Sequence, residues 1–258
     1  MGGLSKHMEN RAMTPSQERW NAITMLPSPI FCTYYILAHL WVSQDLNNQF
    51  LDVEDIDVSK CIQSEWFRNL AAMPPNPIMA VMIGICLHAP FSYIYHWKCA
   101  NHLAPGLPRL THWSRRMDHA MIHVASTFFS YATSGSLEYL FVNVLFNADC
   151  IYQQFREKVR PRRNQIRVFL SIIGYTLPIL LRGEVYLYLL CWIVIGLSSY
   201  FFIRYPVGGW SHAVFHVIIA LLPPCIMHAA AKLPISQEHV EVAIKCSILA
   251  ERPALYLE

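Results

Sequence analysis

The sequence predicts an all-α polytopic membrane protein, a bundle of seven transmembrane helices with its N-terminus inside and its C-terminus outside. Three observations carry the prediction. Apolar residues make up 54% of the 258-residue chain and charged residues only 14%, with a mean hydropathy of +0.29, a balance that belongs to lipid-embedded chains. Uncharged runs recur at about the 20-residue length that a helix needs to cross a bilayer core. The short loops between them alternate between acidic and basic. The same composition excludes a nucleic-acid binder, because the net charge of +3 is small and scattered, whereas such a surface gathers Lys and Arg on one face.

The opening segment, MGGLSKHMENRAMTPSQERW, has no apolar core ending at a small-residue cleavage site, so it does not read as a signal peptide. Lys6 stands where a myristoylation motif requires Ser or Thr. Residues 1–25 are therefore read as a polar cytoplasmic segment ahead of a bundle at 26–231. Trp20 to Val42 is uncharged, and Pro27 and Pro29 place the start of the first span near Ile30. The second span is Ile78 to Trp97. The third opens right after Asp118 and runs to about Ser134, where the Gly135 turn leads into the fourth, LEYLFVNVLFNA, with Glu138 near its start. Val168 to Leu181 is short for a span, but Arg167 and Arg182 at its ends are long enough to snorkel to opposite interfaces. Val185 to Ile203 and His212 to Ala231 are spans six and seven, and 232–258 is an extracytoplasmic tail. Without an internal repeat or a long linker, the whole chain reads as a single membrane domain.

Orientation follows from Lys and Arg, which short cytoplasmic loops retain. The first loop carries Asp45, Asp52, Glu54, Asp55 and Asp57, whereas the second carries Lys98, Arg109, Arg115 and Arg116. The fourth, from Arg156 through Lys158, Arg160, Arg162 and Arg163 to Arg167, is the most basic segment of the chain. Even-numbered loops are then cytoplasmic, which fixes the directions of all seven spans. Trp20, Trp41, Trp97 and Trp210 fall near span ends, as interfacial anchors do. Of eight cysteines, five (Cys32, Cys86, Cys150, Cys191 and Cys225) lie in apolar stretches as small buried hydrophobes. Cys61 and Cys246 share the oxidising face, where a disulfide and two free thiols are both open.

Ionisable residues inside a span are costly, so each needs a reason. With the directions above, Ser92 and His96 end span two, Asp118 begins span three, and His212 and His216 begin span seven, all in one leaflet. Ser92 and His96 are four apart, as are His212 and His216, so each pair shares a helix face. His-x-x-x-His can chelate one ion, and His96 would supply a third nitrogen, leaving the fourth position open as in a catalytic zinc site. Asp118 suits a general base or an outer partner of a ligand, and Ser92 can steady a carbonyl or the oxyanion formed from it. Taken singly, each has an ordinary alternative: an interfacial histidine pair, a serine bonded back to its own helix, an aspartate capping span three. Their convergence on one depth favours the site. His119 and His123 are a rival pair on span three, and His88, His102, His112 and His228 are more weakly placed.

The segments FSYIYHW, RRMDHAMIHVAS and GGWSHAVFHVIIA resemble the signature regions of the progestin and adipoQ receptor and haemolysin-III-like family, within the CREST group of membrane hydrolases that includes alkaline ceramidases. Ser-x-x-x-His near the end of span two, Asp opening span three and His-x-x-x-His on span seven occur here in the family's order. The resemblance implies zinc (Zn2+) held by His96, His212 and His216, with Asp118 and Ser92 as catalytic partners. Two departures stand out. The connection from His96 to Asp118 is long and carries the Pro-rich insert HLAPGLPRLTHW, and the acidic, aromatic N-terminal segment of alkaline ceramidases is not found. The function expected is a zinc-dependent hydrolase of lipid amide or ester bonds, with ceramide- or phospholipid-class substrates and membrane lipids as partners. The alternative is a receptor of the progestin and adipoQ type, with an extracellular ligand and a structural or regulatory zinc.

Overall fold

The computed structural model describes residues 13–45, 73–156 and 160–251. Among them the chain is helical throughout, with no strand: α1 (Pro15–Ile23), α2 (Pro27–Asp45), α3 (Asn76–Asn101), α4 (Leu107–Thr111), α5 (Trp113–Ser134), α6 (Leu137–Gln154), α7 (Pro161–Leu181), α8 (Val185–Arg204), a 3-10 turn (Gly208–Trp210), α9 (Ser211–Ile219), α10 (Leu222–Ala231) and α11 (Pro234–Glu251). Among the described residues, four stretches are long and apolar enough to cross a membrane: α3, α7, α8 and the run Gly208–Ala231 that contains α9 and α10. Three further helices, α2, α5 and α6, have 19, 22 and 18 residues.

The surface identifies the solvent. Helix α6 turns Leu137, Phe141, Val142 and Leu145 outward while burying Asn143, Asn147 and Gln154. Helix α8 likewise exposes Tyr186, Leu189, Ile193 and Leu197. An apolar exterior of this extent, with the amides turned inward, belongs in lipid, where backbone and amide groups must find partners inside the protein. The centre between the helices is apolar as well, built on Val81, Met82, Phe129, Tyr175, Ile179, Cys191 and Ile226. Small residues let α3 and α5 approach: a Cβ on Gly84 would lie 3.1 Å from the Phe129 ring and 3.2 Å from Ala125 Cα.

Several boundaries depart from the sequence expectation, each for a local reason. Part of the polar N-terminal segment is a helix: Thr14 Oγ1 accepts from Gln17 N, Gln17 Oε1 accepts from Thr14 N, and Pro15 occupies the first turn. This α1 packs on α3 and buries Glu18, Asn21 and Ala22, so Trp20 precedes the first apolar helix, which starts at Pro27 rather than near Ile30. Helix α5 starts at Trp113, with His112 Nδ1 accepting from Ser114 N as its cap. Asp118 therefore lies inside the helix, not at its opening. Pro161 starts α7, placing Arg162, Arg163 and Arg167 on the helix rather than in the loop.

The stretch expected as the seventh span is two helices. The N–H groups missing from Pro223 and Pro224 break the ladder, and the chain turns at Ala220 and Leu221 between α9 and α10. The tail beyond 231 continues as α11. Arg182 does not snorkel outward: its guanidinium turns in to the carbonyls of Thr133 and Ala229 and to Glu184. Cys61 lies outside the described residues, and the side chain of Cys246 does too.

Candidate metal centre

Three elements converge at one end of the bundle: α1, the end of α3 and the start of α9. His96 sits in the last turns of α3, and His212 and His216 occupy successive turns of α9. Each offers a ring nitrogen, and these atoms all lie within 4.8 Å of one another. His96 Nε2 and His212 Nε2 are 3.2 Å apart, close to the edge of about 3.3 Å that a tetrahedron with zinc–nitrogen bonds near 2.05 Å requires. The three imidazole pairs have ring-centroid separations of 4.9, 5.2 and 4.6 Å, so the rings sit directly against one another.

The far nitrogens decide whether those rings can act as ligands, because a partner at Nδ1 fixes which nitrogen carries the proton. His96 Nδ1 lies 2.8 Å from Glu18 Oε2. A carboxylate oxygen beside it accepts, so Nδ1 carries the proton and Nε2 presents a lone pair. His216 Nδ1 lies 3.0 Å from the Asn21 carbonyl oxygen and 3.1 Å from Thr24 Oγ1. The carbonyl likewise requires Nδ1–H and frees Nε2. His212 Nδ1 is buried without a hydrogen-bond partner among the described residues. Three imidazoles, His96 and His216 buried and His212 half-buried, with the first two held in the metal-accepting tautomer, are a donor set that fits a divalent transition metal.

Glu18 is itself held from both sides. Arg109 Nη1 donates to its Oε1 at 2.6 Å, and Asn21 Nδ2 donates to its Oε2 at 3.2 Å. Arg109 also donates through Nη2 to the Cys99 carbonyl at 3.0 Å and through Nε to the Leu103 carbonyl at 3.1 Å. The Pro-rich insert thereby closes back on the end of α3, and Arg109, expected only as a marker of loop charge, is part of the site's framework. Glu18, Asn21, Thr24 and Arg109 were not singled out from sequence. The signal for α1 was present in the Thr14-Pro15-x-Gln17 capping pattern, but nothing local points from Glu18 to His96.

The remaining candidates separate. Ser92 is buried one helical turn before His96. Asp118 is buried too, but it lies outside the three-histidine group; its Oδ1 is 3.2 Å from His88 Nε2. His88, Ser92 and His96 are spaced four apart on one face of α3, so this face carries both a member of the histidine cluster and the partner of the aspartate. His123 is built into the packing of α5, α6 and α7 rather than into the site: its Nδ1 lies 3.0 Å from both Asn147 Oδ1 and Ser171 Oγ. His119 has a buried Nδ1 with no partner among the described residues and is not one of the three. His112 caps α5, while His102 and His228 are exposed. Comparison with protein-family models, with curated proteins and with solved structures gives no match.

Proposed function

We propose that this protein is a zinc-dependent hydrolase of lipid amide or ester bonds, built as a seven-helix bundle of the progestin and adipoQ receptor and haemolysin-III-like type. The observation that carries the reading is the convergence of His96, His212 and His216 on one point inside a chain whose outer surface is apolar. An all-imidazole set of three protein ligands favours zinc in a catalytic rather than a four-ligand structural site. When bound, zinc supplies Lewis acidity, which polarises a carbonyl and acidifies water.

The chain's own groups would do the rest. Glu18 and the Asn21 carbonyl keep His96 and His216 in their ligand tautomers. Asp118, steadied through Oδ1 by His88, has Oδ2 to take a proton from an attacking water. The Ser92 hydroxyl would donate to a substrate carbonyl oxygen as charge develops on it. An acyl chain would reach them between lipid-facing helices, and the seven-span topology with the N-terminus inside would set the site in the cytoplasmic leaflet. Purified protein should contain about one zinc per chain, as a three-ligand site implies, and release fatty acid from ceramide or phospholipid vesicles. Full zinc retention in a His212→Ala/His216→Ala double variant would refute the ligand assignment.

A further inference from the structure

We infer that Glu18, reaching in from α1, is a positioning residue for the metal centre: its carboxylate holds the His96 imidazole in the tautomer and rotation that present Nε2 to an ion. The inference rests on the metal-binding reading above. It deepens that reading by making the polar segment before the first apolar helix a working part of the site.

The first argument is burial. Glu18 is only 1% exposed, and an ionised carboxylate is not taken out of water without a charge partner and hydrogen bonds. Arg109 supplies the charge at Oε1, which leaves Oε2 for the His96 imidazole and the Asn21 amide. With both oxygens assigned, the carboxylate cannot rotate away. The imidazole it grips cannot turn without breaking a charge-assisted bond of 2.8 Å.

The second argument is where α1 spends its polar groups. Its carboxylate meets Nδ1 of His96, and its Asn21 carbonyl meets Nδ1 of His216. One nine-residue helix thus addresses two of the three imidazoles from the side opposite the metal. The two elements also meet at Gly209, three residues before His212, where an added Cβ would displace the Gln17 side-chain amide that closes the cap of α1. A helix serving only as a surface anchor would have no need to present hydrogen-bond acceptors to two buried rings.

The competing account is that Glu18 and Arg109 merely fasten α1 to the bundle, and the experiment must separate the two. Zinc affinity is measured on the full chain in detergent by competition with a chromophoric chelator. Tautomers are read by 15N NMR of histidine-labelled, metal-free protein, with His96 assigned from His96→Gln. Glu18→Gln is near-isosteric but loses the charge, and should weaken zinc by about 10- to 100-fold, the range for a lost outer partner of a ligating histidine. It should also let His96 populate both tautomers. Thr14→Ala removes the cap of the same helix without touching His96, and should leave zinc affinity within about two-fold and the tautomer unchanged, because no ligand partner is lost.

Two results overturn the inference: Glu18→Gln leaving both affinity and tautomer at wild-type values, or Thr14→Ala reproducing the full loss. If the wild type takes up no zinc, the hydrolase reading falls, while the His96 tautomer still decides for or against Glu18.

Discussion

Arg182 offers the sharpest test of how the far end of the bundle is held. Its guanidinium donates to carbonyls in the last turns of two helices, Thr133 of α5 and Ala229 of α10, the latter at 3.0 Å, and to Glu184 Oε1 at 2.9 Å. Helix C-termini leave carbonyls without intrahelical partners and carry partial negative charge, so one cation here serves three acceptors. Arg182→Met removes all three bonds and leaves Glu184, whose Oε2 is already buried without a partner among the described residues, without the one cation those residues give it. Bonds to charged groups contribute about 1.5–3 kcal/mol each, but breaking a buried pair from one side is measured at about 3–5 kcal/mol in total. The Arg182 and Glu184 side chains are 22% and 17% exposed, so water recovers part of the loss and the lower end, about 3 kcal/mol, is the expected cost. Arg182→Lys should cost less, about 1.5 kcal/mol, because a single ammonium keeps the charge but cannot span three acceptors. Arg182→Met/Glu184→Leu should recover part of the single-variant loss by removing the orphaned carboxylate. Reversible unfolding in mixed micelles, followed by helical circular dichroism, reads these differences. An Arg182→Met variant within about 0.5 kcal/mol of wild type would refute the reasoning, since that is the range of an ordinary surface substitution.

Two other outcomes bear on the site and its surroundings. Asp118→Asn should abolish fatty-acid release while leaving zinc content near wild type, because Asp118 lies outside the three-ligand group; a ligand-dependent cellular response that survives this change would instead support the receptor reading. Asn147→Leu should cost about 1–2 kcal/mol in the same unfolding assay, the scale of an interhelical hydrogen bond in lipid, with zinc content unchanged; a loss of zinc would show that His123, whose Nδ1 it faces at 3.0 Å, is tied to the metal after all.

The clustered histidines were legible because their spacing is local: four residues place two imidazoles on one face of a helix whatever surrounds it. Their partners were not. Glu18 and Arg109 lie 78 positions before His96 and 91 positions after Glu18 respectively, and no periodicity encodes a pairing across such distances. The uncharged runs located the apolar helices, but a run of uncharged residues does not report its own breaks, so the Pro223-Pro224 pair was absorbed into a continuous seventh span. Charge misled at two places for one reason. Arg162 and Arg163 were read as loop although the first turns of a helix tolerate them, and Arg182 was sent to the interface although carbonyls inside the bundle were free to receive it. A charged residue at the edge of an apolar run marks only that a partner exists, in water or in protein.

The inverted pattern of α6 bears on how the chain enters a bilayer at all. A segment that carries Asn143, Asn147 and Gln154 along one side is a poor candidate for release from the translocation machinery alone, because those amides would meet hydrocarbon before any neighbour covered them. The atoms that cover them come partly from later in the chain: Ser171 donates to Asn147, and Asn164 donates to Gln154, both from α7. On the seven-span topology proposed above, α6 must therefore wait beside α5 until α7 has been synthesised, and the three helices leave for the lipid together. Substitutions that blunt α7 would then show themselves first as failed biogenesis of α6, long before any purified protein could be assayed for stability.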